Sequence, residues 1–321
     1  MVPEAEPRSY YGQPVIKEPV WTWEIPVYFF TGGLGGASAG LAFLAELRGN
    51  DELARRAWGV ALAGIGVSPA LLISDLGRPT RFINMLRLFK VTSPMSVGSW
   101  LLSASGTATA VAAADALLAR GARRRLPASA RAALAAAAPV AKPAAALLGL
   151  PLSTYTAALV ANTSVPVWHE ARRTLPFLFA GGAAASAGAL ASLVTPPEHA
   201  GPARRLAVGG AIAELAAARA MEESLGELAR PYHEGPAGTV SRVAQLVTAA
   251  GGMALAGFAR RSRPAAVGGA AALAAGALLE RWAVYKAGFA STRDPAFTVG
   301  PQRERIRSGE TRGAERQARP R

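Results

Sequence analysis

Charge in this chain is bunched, and long stretches between the bunches carry almost none. Eight apolar runs, at approximately 25–46, 57–75, 96–119, 143–161, 175–194, 206–228, 239–259 and 264–287, alternate with interruptions such as "RGNDELARR", "DLGRPTRF" and "HEARRTLP". About 20 mostly apolar residues suffice to cross a bilayer as a helix. In lipid the backbone must satisfy its own hydrogen bonds, so such runs fold as helices packed on one another. The pattern predicts an all-α integral membrane protein with eight transmembrane helices. Two segments, "FFTGGLGGASAGLAFLAEL" and "FLFAGGAAASAGALASLV", are similarly rich in Gly, Ala and Ser. Small residues let membrane helices approach closely, and the likeness of the segments suggests two four-helix bundles. The expected layout is a polar segment 1–24, a membrane domain 25–288 with bundles at about 25–161 and 175–287, and a disordered basic tail 289–321.

Composition narrows the chemistry. Only 17% of the 321 residues are charged, against roughly 25% in soluble domains. There is no Cys, so the chain has no disulfides and cannot hold an iron–sulfur cluster through thiolates or attach haem covalently. Its three His, at 169, 199 and 233, all fall between the apolar runs. A membrane haem needs two His within spanning helices, so no haem is expected. The net charge of +14 could suggest nucleic acid. Eight of the 35 basic residues crowd into the last 34, however, and most others flank apolar runs. Membrane flanks and a tail explain them, and no nucleic-acid partner is expected. The first 24 residues, with Glu4, Glu6 and Glu18, lack the basic start of a cleavable signal. Eight spans place both termini on one face. That face carries 9 Lys and Arg without the tail and the other carries 14, so the positive-inside rule favours termini outside the cell.

Polar residues near the membrane carry what chemistry there is. Trp21 and Trp23 suit an interfacial aromatic belt. Glu24 and Tyr28, four apart, share a helix face. Tyr155 lies in the fourth run, with Asn162 seven residues on, followed by His169, Glu170, Arg172 and Arg173. The sixth run holds Glu214, Arg219, Glu222 and Glu223. Ionisable groups at membrane depth are costly and mark either proton routes or internal pairs. Arg219 can reach Glu222 or Glu223 one turn on, whereas Glu214 has no local partner and is the better proton carrier. Glu280–Arg281 and Asp115 are weaker candidates. The stretch "ISDLGRPTRFINMLRLFKVTSPMSVGSW" (73–100) is either an ordinary polar connection or a shaped cap. In the second case Asp75 would pair with Arg78 or Arg81, since the guanidinium fork suits a carboxylate.

"WTWEIPVYFFTGGLGGASA", "SDLGRPTRFINMLRLFKVTSPMSVGSW" and "STYTAALVANTSVPVWHEARRTLPFLFAGG", in this order, resemble the NrfD/polysulfide-reductase membrane-subunit family over roughly residues 10–290. The resemblance implies a quinone-binding subunit of an oxidoreductase in the cell membrane. It also implies bound menaquinone and a docked multi-cluster iron–sulfur subunit, often with a molybdopterin catalytic subunit beyond. It gives Tyr155 the role of donor to a quinone carbonyl. Tyr28 stands where a relative has His and Ile25 where it has Asn, with Glu24 as a compensating polar group. Asn162 and His169 complete the expected quinone set. Asp75, in the D-L-G-R-P motif, is similar to acidic groups proposed for proton movement, joined here by Glu214, Arg219 and Glu222. Arg78, Arg81, Asn84, Arg172 and Arg173 would cap the pocket and dock the partner. A secondary transporter is the alternative from another class, since two small-residue bundles and buried Glu214 and Arg219 suit a repeat-built carrier. A passive anchor is a third.

Overall fold

The computed structural model describes residues 14–118, 120–259, 261–307 and 309. The expectations for Glu4, Glu6 and the end of the tail lie outside these residues. Among the described residues there is no strand, and eight helices of 20 residues or more follow one another. They are α1 (Glu24–Leu47), α2 (Asp51–Asp75), α3 (Pro94–Leu117), α4 (Ala128–Ala161), α5 (Leu175–Val194), α6 (Gly201–Leu225), α7 (Gly235–Gly257) and α8 (Arg263–Arg293). A shorter α9 (Ala296–Arg307) ends the described chain. Five of the long helices, α1, α2, α4, α5 and α8, are long and apolar enough to cross a membrane. α3 is diluted by Ser, Thr and Gly, and α6 by its charges.

Local chemistry sets several boundaries. The side chain of Asn50 accepts from the Leu53 amide (3.2 Å) to cap α2, whose first turn holds Asp51 and Glu52. Ser93 and Ser262 cap α3 and α8 in the same way, each followed by Pro in the first turn. A Ser or Asn oxygen there satisfies an amide that the helix itself leaves free, and the acidic residues complement the helix dipole.

Two boundaries differ from expectation. α4 is 34 residues long and begins at Ala128 rather than near 143. The stretch "ASARAALAAAA" is rich in the best helix former, which outweighs its lack of bulky apolar residues. The tail, expected to be disordered, is helical over most of its described part: α8 runs on to Arg293 and α9 follows. Arg293 is held by Glu18, Arg230 by Asp294 (2.9 Å), and Arg305 by Glu170 (2.7 Å).

α1 packs on α2 and α4, and α3 packs on α4 and α2. α5 packs on α6, α7 on α8 and, less extensively, on α6. α5 also meets α1, α4 and α8, and so ties the two halves together. Gly36 of α1 and Gly149 of α4 meet backbone to backbone, leaving no room for a Cβ on either. The chain direction alternates, so the residues flanking Glu24, Asp75, Ala161, Leu225 and Arg293 gather at one end, here called the termini face. A single apolar core runs beneath that face through both halves, from Tyr28 and Phe29 to Trp168, Phe179, Met221 and Val284. On the far face Lys142 bridges Asp115 (2.9 Å) and Glu46 (3.1 Å), Arg123 joins Asp115, and Trp58 donates to Glu46 (2.9 Å). Asp115 is thereby paired.

Candidate functional site

Two tyrosines meet just inside the termini face. The hydroxyls of Tyr28 and Tyr155, 127 residues apart in sequence, lie 2.8 Å from each other. Tyr28 is the fifth residue of α1 and Tyr155 the seventh from the end of α4. At about 1.5 Å rise per residue, each lies roughly two turns or less from the helix end. Tyr28 is fully buried, whereas Tyr155 is half-buried. A phenol offers one donor hydrogen, and one hydrogen suffices for the bond between them. Either hydroxyl can donate; when Tyr28 does, the proton of Tyr155 is left free. α3 makes room for this arrangement, because a Cβ on Gly98 would stand inside the Tyr155 ring.

Above the tyrosines the chain entering α1 is pinned to the end of α2. Thr22 donates to Asp75 Oδ1 through both its amide (3.1 Å) and its hydroxyl (2.7 Å), and the hydroxyl also contacts Glu24. Both carboxylates stand at the N-terminus of α1, where the helix dipole favours negative charge. Trp21 stacks on buried Trp168 with centroids 5.6 Å apart. Its carbonyl accepts from the Tyr285 hydroxyl (2.6 Å), and the Trp168 indole donates to Val284 O (2.7 Å). Trp21 is therefore an internal clamp between the two halves, and of the two tryptophans only exposed Trp23 suits an interfacial belt.

The sequence matches the family model "Polysulphide reductase, NrfD" over residues 13–224. The chain belongs to this family. NrfD membership makes it a membrane subunit of quinone-interacting oxidoreductase complexes. Among curated proteins none matches the chain. The family match covers α1 to α6 and stops before α7 and α8.

Within this NrfD fold, several expected groupings change. Asp75 bonds Thr22 rather than Arg78 or Arg81, which are exposed and make no ion pair among the described residues. Gly77, with φ 64°, turns the loop so that both arginines follow outside the helix end. Asn162 caps α4 and donates back to Ala158 O (2.8 Å), away from Tyr155. His169 bonds Ala161 O (3.2 Å) and lines a separate surface cavity of about 390 Å³ with Phe297 and Arg305. Neither reaches the tyrosine pair, because α4 ends at Ala161 and the chain turns outward. Asn84, Arg172 and Arg173 are exposed at the termini face. Arg219 pairs with Glu223 (2.6 Å) on the exposed side of α6, with Glu222 nearby, and does not reach Glu214. Glu222 accepts from Gln245 (2.9 Å) and faces His233 (3.6 Å).

A second cluster was only partly visible in the sequence. Glu214 does have a partner, Arg281 of α8 at 3.2 Å, and both side chains are almost wholly buried. Arg281 also donates to Phe179 O (2.7 Å) and lies over the Phe179 ring at 4.3 Å. A Cβ on Gly182 would stand 2.8 Å from both terminal nitrogens of Arg281, so this glycine makes the seat for the pair. Glu280 is buried beside them. Glu214 Oε2, Glu280 Oε1, Arg281 Nε and the Tyr232 hydroxyl find no hydrogen-bond partner among the described residues. Tyr232 precedes α7. Burial, with the nearby charges of Glu280 and Glu222, pushes its hydroxyl well above the usual phenol value. The sequence signal was the Glu280–Arg281 dipeptide inside an apolar run. Thr22 and Gly98 carried no comparable signal.

Proposed function

We propose that the chain is the quinone-binding membrane anchor of a respiratory oxidoreductase, passing electrons between a partner iron–sulfur protein and menaquinone. The observation that carries this reading is the Tyr28–Tyr155 pair, two hydroxyls 2.8 Å apart that need only one of their two protons for the bond between them. An amphipathic quinone ring needs an apolar seat and a donor for a carbonyl oxygen. Tyr155 is such a donor, and Ile25, Phe29 and Leu102 are apolar neighbours in the same core. Tyr28 orients Tyr155. Glu24 and Asp75, held by Thr22, stand where protons exchange with the aqueous face. A bound quinone supplies two-electron, two-proton chemistry, and this chain supplies the grip and the protons.

The exposed cations Arg78, Arg81, Arg172 and Arg173, with Asn84, make the termini face a docking surface for the iron–sulfur subunit, with a molybdopterin subunit beyond. All eight long helices cross the cell membrane in this reading. The more basic far face lies in the cytoplasm and the docking face outside. The buried Glu214–Arg281 pair is what favours the competing reading, an ion carrier without quinone chemistry.

Quinone quantitation separates the two. Organic extraction of the purified chain should yield menaquinone in proportion to protein, and clearly less from Tyr155→Phe. Absence of quinone from both, with lipid retained, would overturn the reading.

A further inference from the structure

We propose that Glu214 and Glu280 form a proton-loading site, holding one exchangeable proton between two carboxyls against the fixed charge of Arg281. The site opens to the termini face through Tyr232, Glu222 and His233. This function is separate from the tyrosine pair, and Tyr232, Glu280 and Arg281 all lie beyond residue 224, where the family match ends.

The charge count leads to a proton. Two carboxyls and one guanidinium are buried here: Arg281 bonds Glu214 at 3.2 Å, and Glu280 is its neighbour in α8. Arg281 is the one cation that acts on both Glu214 and Glu280 among the described residues, and Glu222 adds negative charge to Glu280. From α5 the cluster meets the Phe179 ring and carbonyl. Across from it α7 brings Gln245, which donates to Glu222 (2.9 Å), while its Arg242 is bonded to Gly238 O (3.3 Å). A net negative charge at such depth is costly, and one proton removes it. Arg281 reaches Glu214 directly, so the proton rests mainly on Glu280. The unpartnered oxygens of both carboxyls show that neither is locked in a full set of hydrogen bonds. Buried polar groups of this kind are satisfied by internal water or by a proton moving among them.

The route is directional. Tyr232 is buried within reach of the charges of Glu280 and Glu222, its hydroxyl unpartnered among the described residues, and Glu222 faces His233, whose side chain is 57% exposed. On the other side the Phe179 and Phe29 rings (5.8 Å) separate the cluster from Tyr28. Aromatic rings carry no protons, so the cluster exchanges with water at the termini face and not with the tyrosines. Loading adds one proton to a carboxylate oxygen and takes one from water by way of His233. No electron moves.

Infrared spectroscopy of the full chain in lipid nanodiscs tests this without quinone turnover. A protonated carboxylic acid has its own C=O stretch, which shifts in deuterated water. The wild type should show this band at neutral pH. Glu214→Gln and Glu280→Gln should each abolish it, because the remaining carboxylate ionises against Arg281. Tyr232→Phe should keep the band and slow its deuterium exchange severalfold. No band in the wild type, or a band that survives both Gln variants, overturns the site; unchanged exchange in Tyr232→Phe overturns the route. Should one Gln variant fail to assemble, the wild type and the other still decide. A failed quinone extraction would leave this result standing, and the converse holds as well.

Discussion

The two halves of the molecule each bury a polar cluster, and the clusters differ in depth and charge. The tyrosine pair of the first half is neutral and lies within roughly two turns of the termini face. Glu214 is the twelfth residue from the end of α6, roughly 17 Å down at about 1.5 Å per residue. Both clusters use a missing side chain as a seat: Gly98 under Tyr155, Gly182 under Arg281. A shallow neutral pair with a spare donor suits reversible binding of a neutral molecule. A deep charged cluster must balance its charge internally, and it does so incompletely. Burial alone therefore does not decide what a polar cluster does; the balance of donors, acceptors and charge does.

The largest effect should come from unbalancing the deep cluster. Arg281→Ala leaves two buried carboxyls without their cation, and breaking one partner of a buried pair costs about 3–5 kcal/mol. Folded yield and the midpoint of thermal unfolding in detergent should fall sharply. Replacing the cluster as a set, with Glu214→Gln, Glu280→Gln and Arg281→Met together, should recover most of that loss. If the triple variant is as unstable as Arg281→Ala, the loss comes from packing against Phe179 rather than from charge.

The shallow cluster should respond in a different quantity. Gly98→Ala pushes a methyl into the Tyr155 ring, and overpacking of this kind costs about 1–3 kcal/mol. Quinone retention should fall along with stability. Tyr155→Phe leaves the buried Tyr28 hydroxyl without its partner, which should cost about 1–3 kcal/mol of stability, and should weaken quinone binding about two- to twelvefold, the worth of a neutral hydrogen bond of about 0.5–1.5 kcal/mol. Tyr28→Phe, one step removed, should weaken binding less. Titration of the three variants with a soluble quinone analogue reads the order. Equal losses from both Phe variants would mean that the pair acts as one donor rather than as donor and support.

The helices were legible because their signal is local: uncharged length, and charged or breaker-rich interruptions such as "RGNDELARR" and "DLGRPTRF". The start of α4 was not, since Ala-rich sequence forms helix without looking apolar. Tyr28 and Tyr155 were singled out from their runs, but their bond depends on how α1 meets α4 across a Gly–Gly contact. Asp75 was expected to pair with Arg78 or Arg81 if the loop is a cap, and the partner it has is Thr22. Two arginines close in sequence were preferred to Thr22, 53 residues away, which the packing of α1 on α2 delivers. Glu214 was read as having no local partner, and it has none on its own helix; Arg281 arrives from 67 residues further on.

Asp75→Asn should have a smaller effect on the fold, because the amide oxygen still accepts from the Thr22 amide and hydroxyl. Its consequence should appear instead in quinone turnover by the assembled complex, where a titratable group has been lost. Arg78→Ala in parallel should leave the unfolding midpoint of the isolated chain unchanged and weaken assembly with the partner, and unchanged assembly would remove it from the docking surface. A drop in complex assembly, with the isolated chain intact, would place it in the docking surface.

The smallest effect of all should follow from Arg219→Ala, and it bears on the comparison as directly as the largest. Arg219 and Arg281 are both arginines paired with a glutamate of α6. Arg219 meets Glu223 one turn along its own helix, with side chains 77% and 63% exposed. Arg281 meets Glu214 from another helix with both side chains buried. Solvent and salt screen the first pair and cannot screen the second. Removing Arg219 should therefore leave the unfolding midpoint and the carboxylic-acid band where they are. A shift in either would mean that α6 presents a different face to α8 in the membrane, and that Arg219 contributes to the charge balance of Glu214 after all.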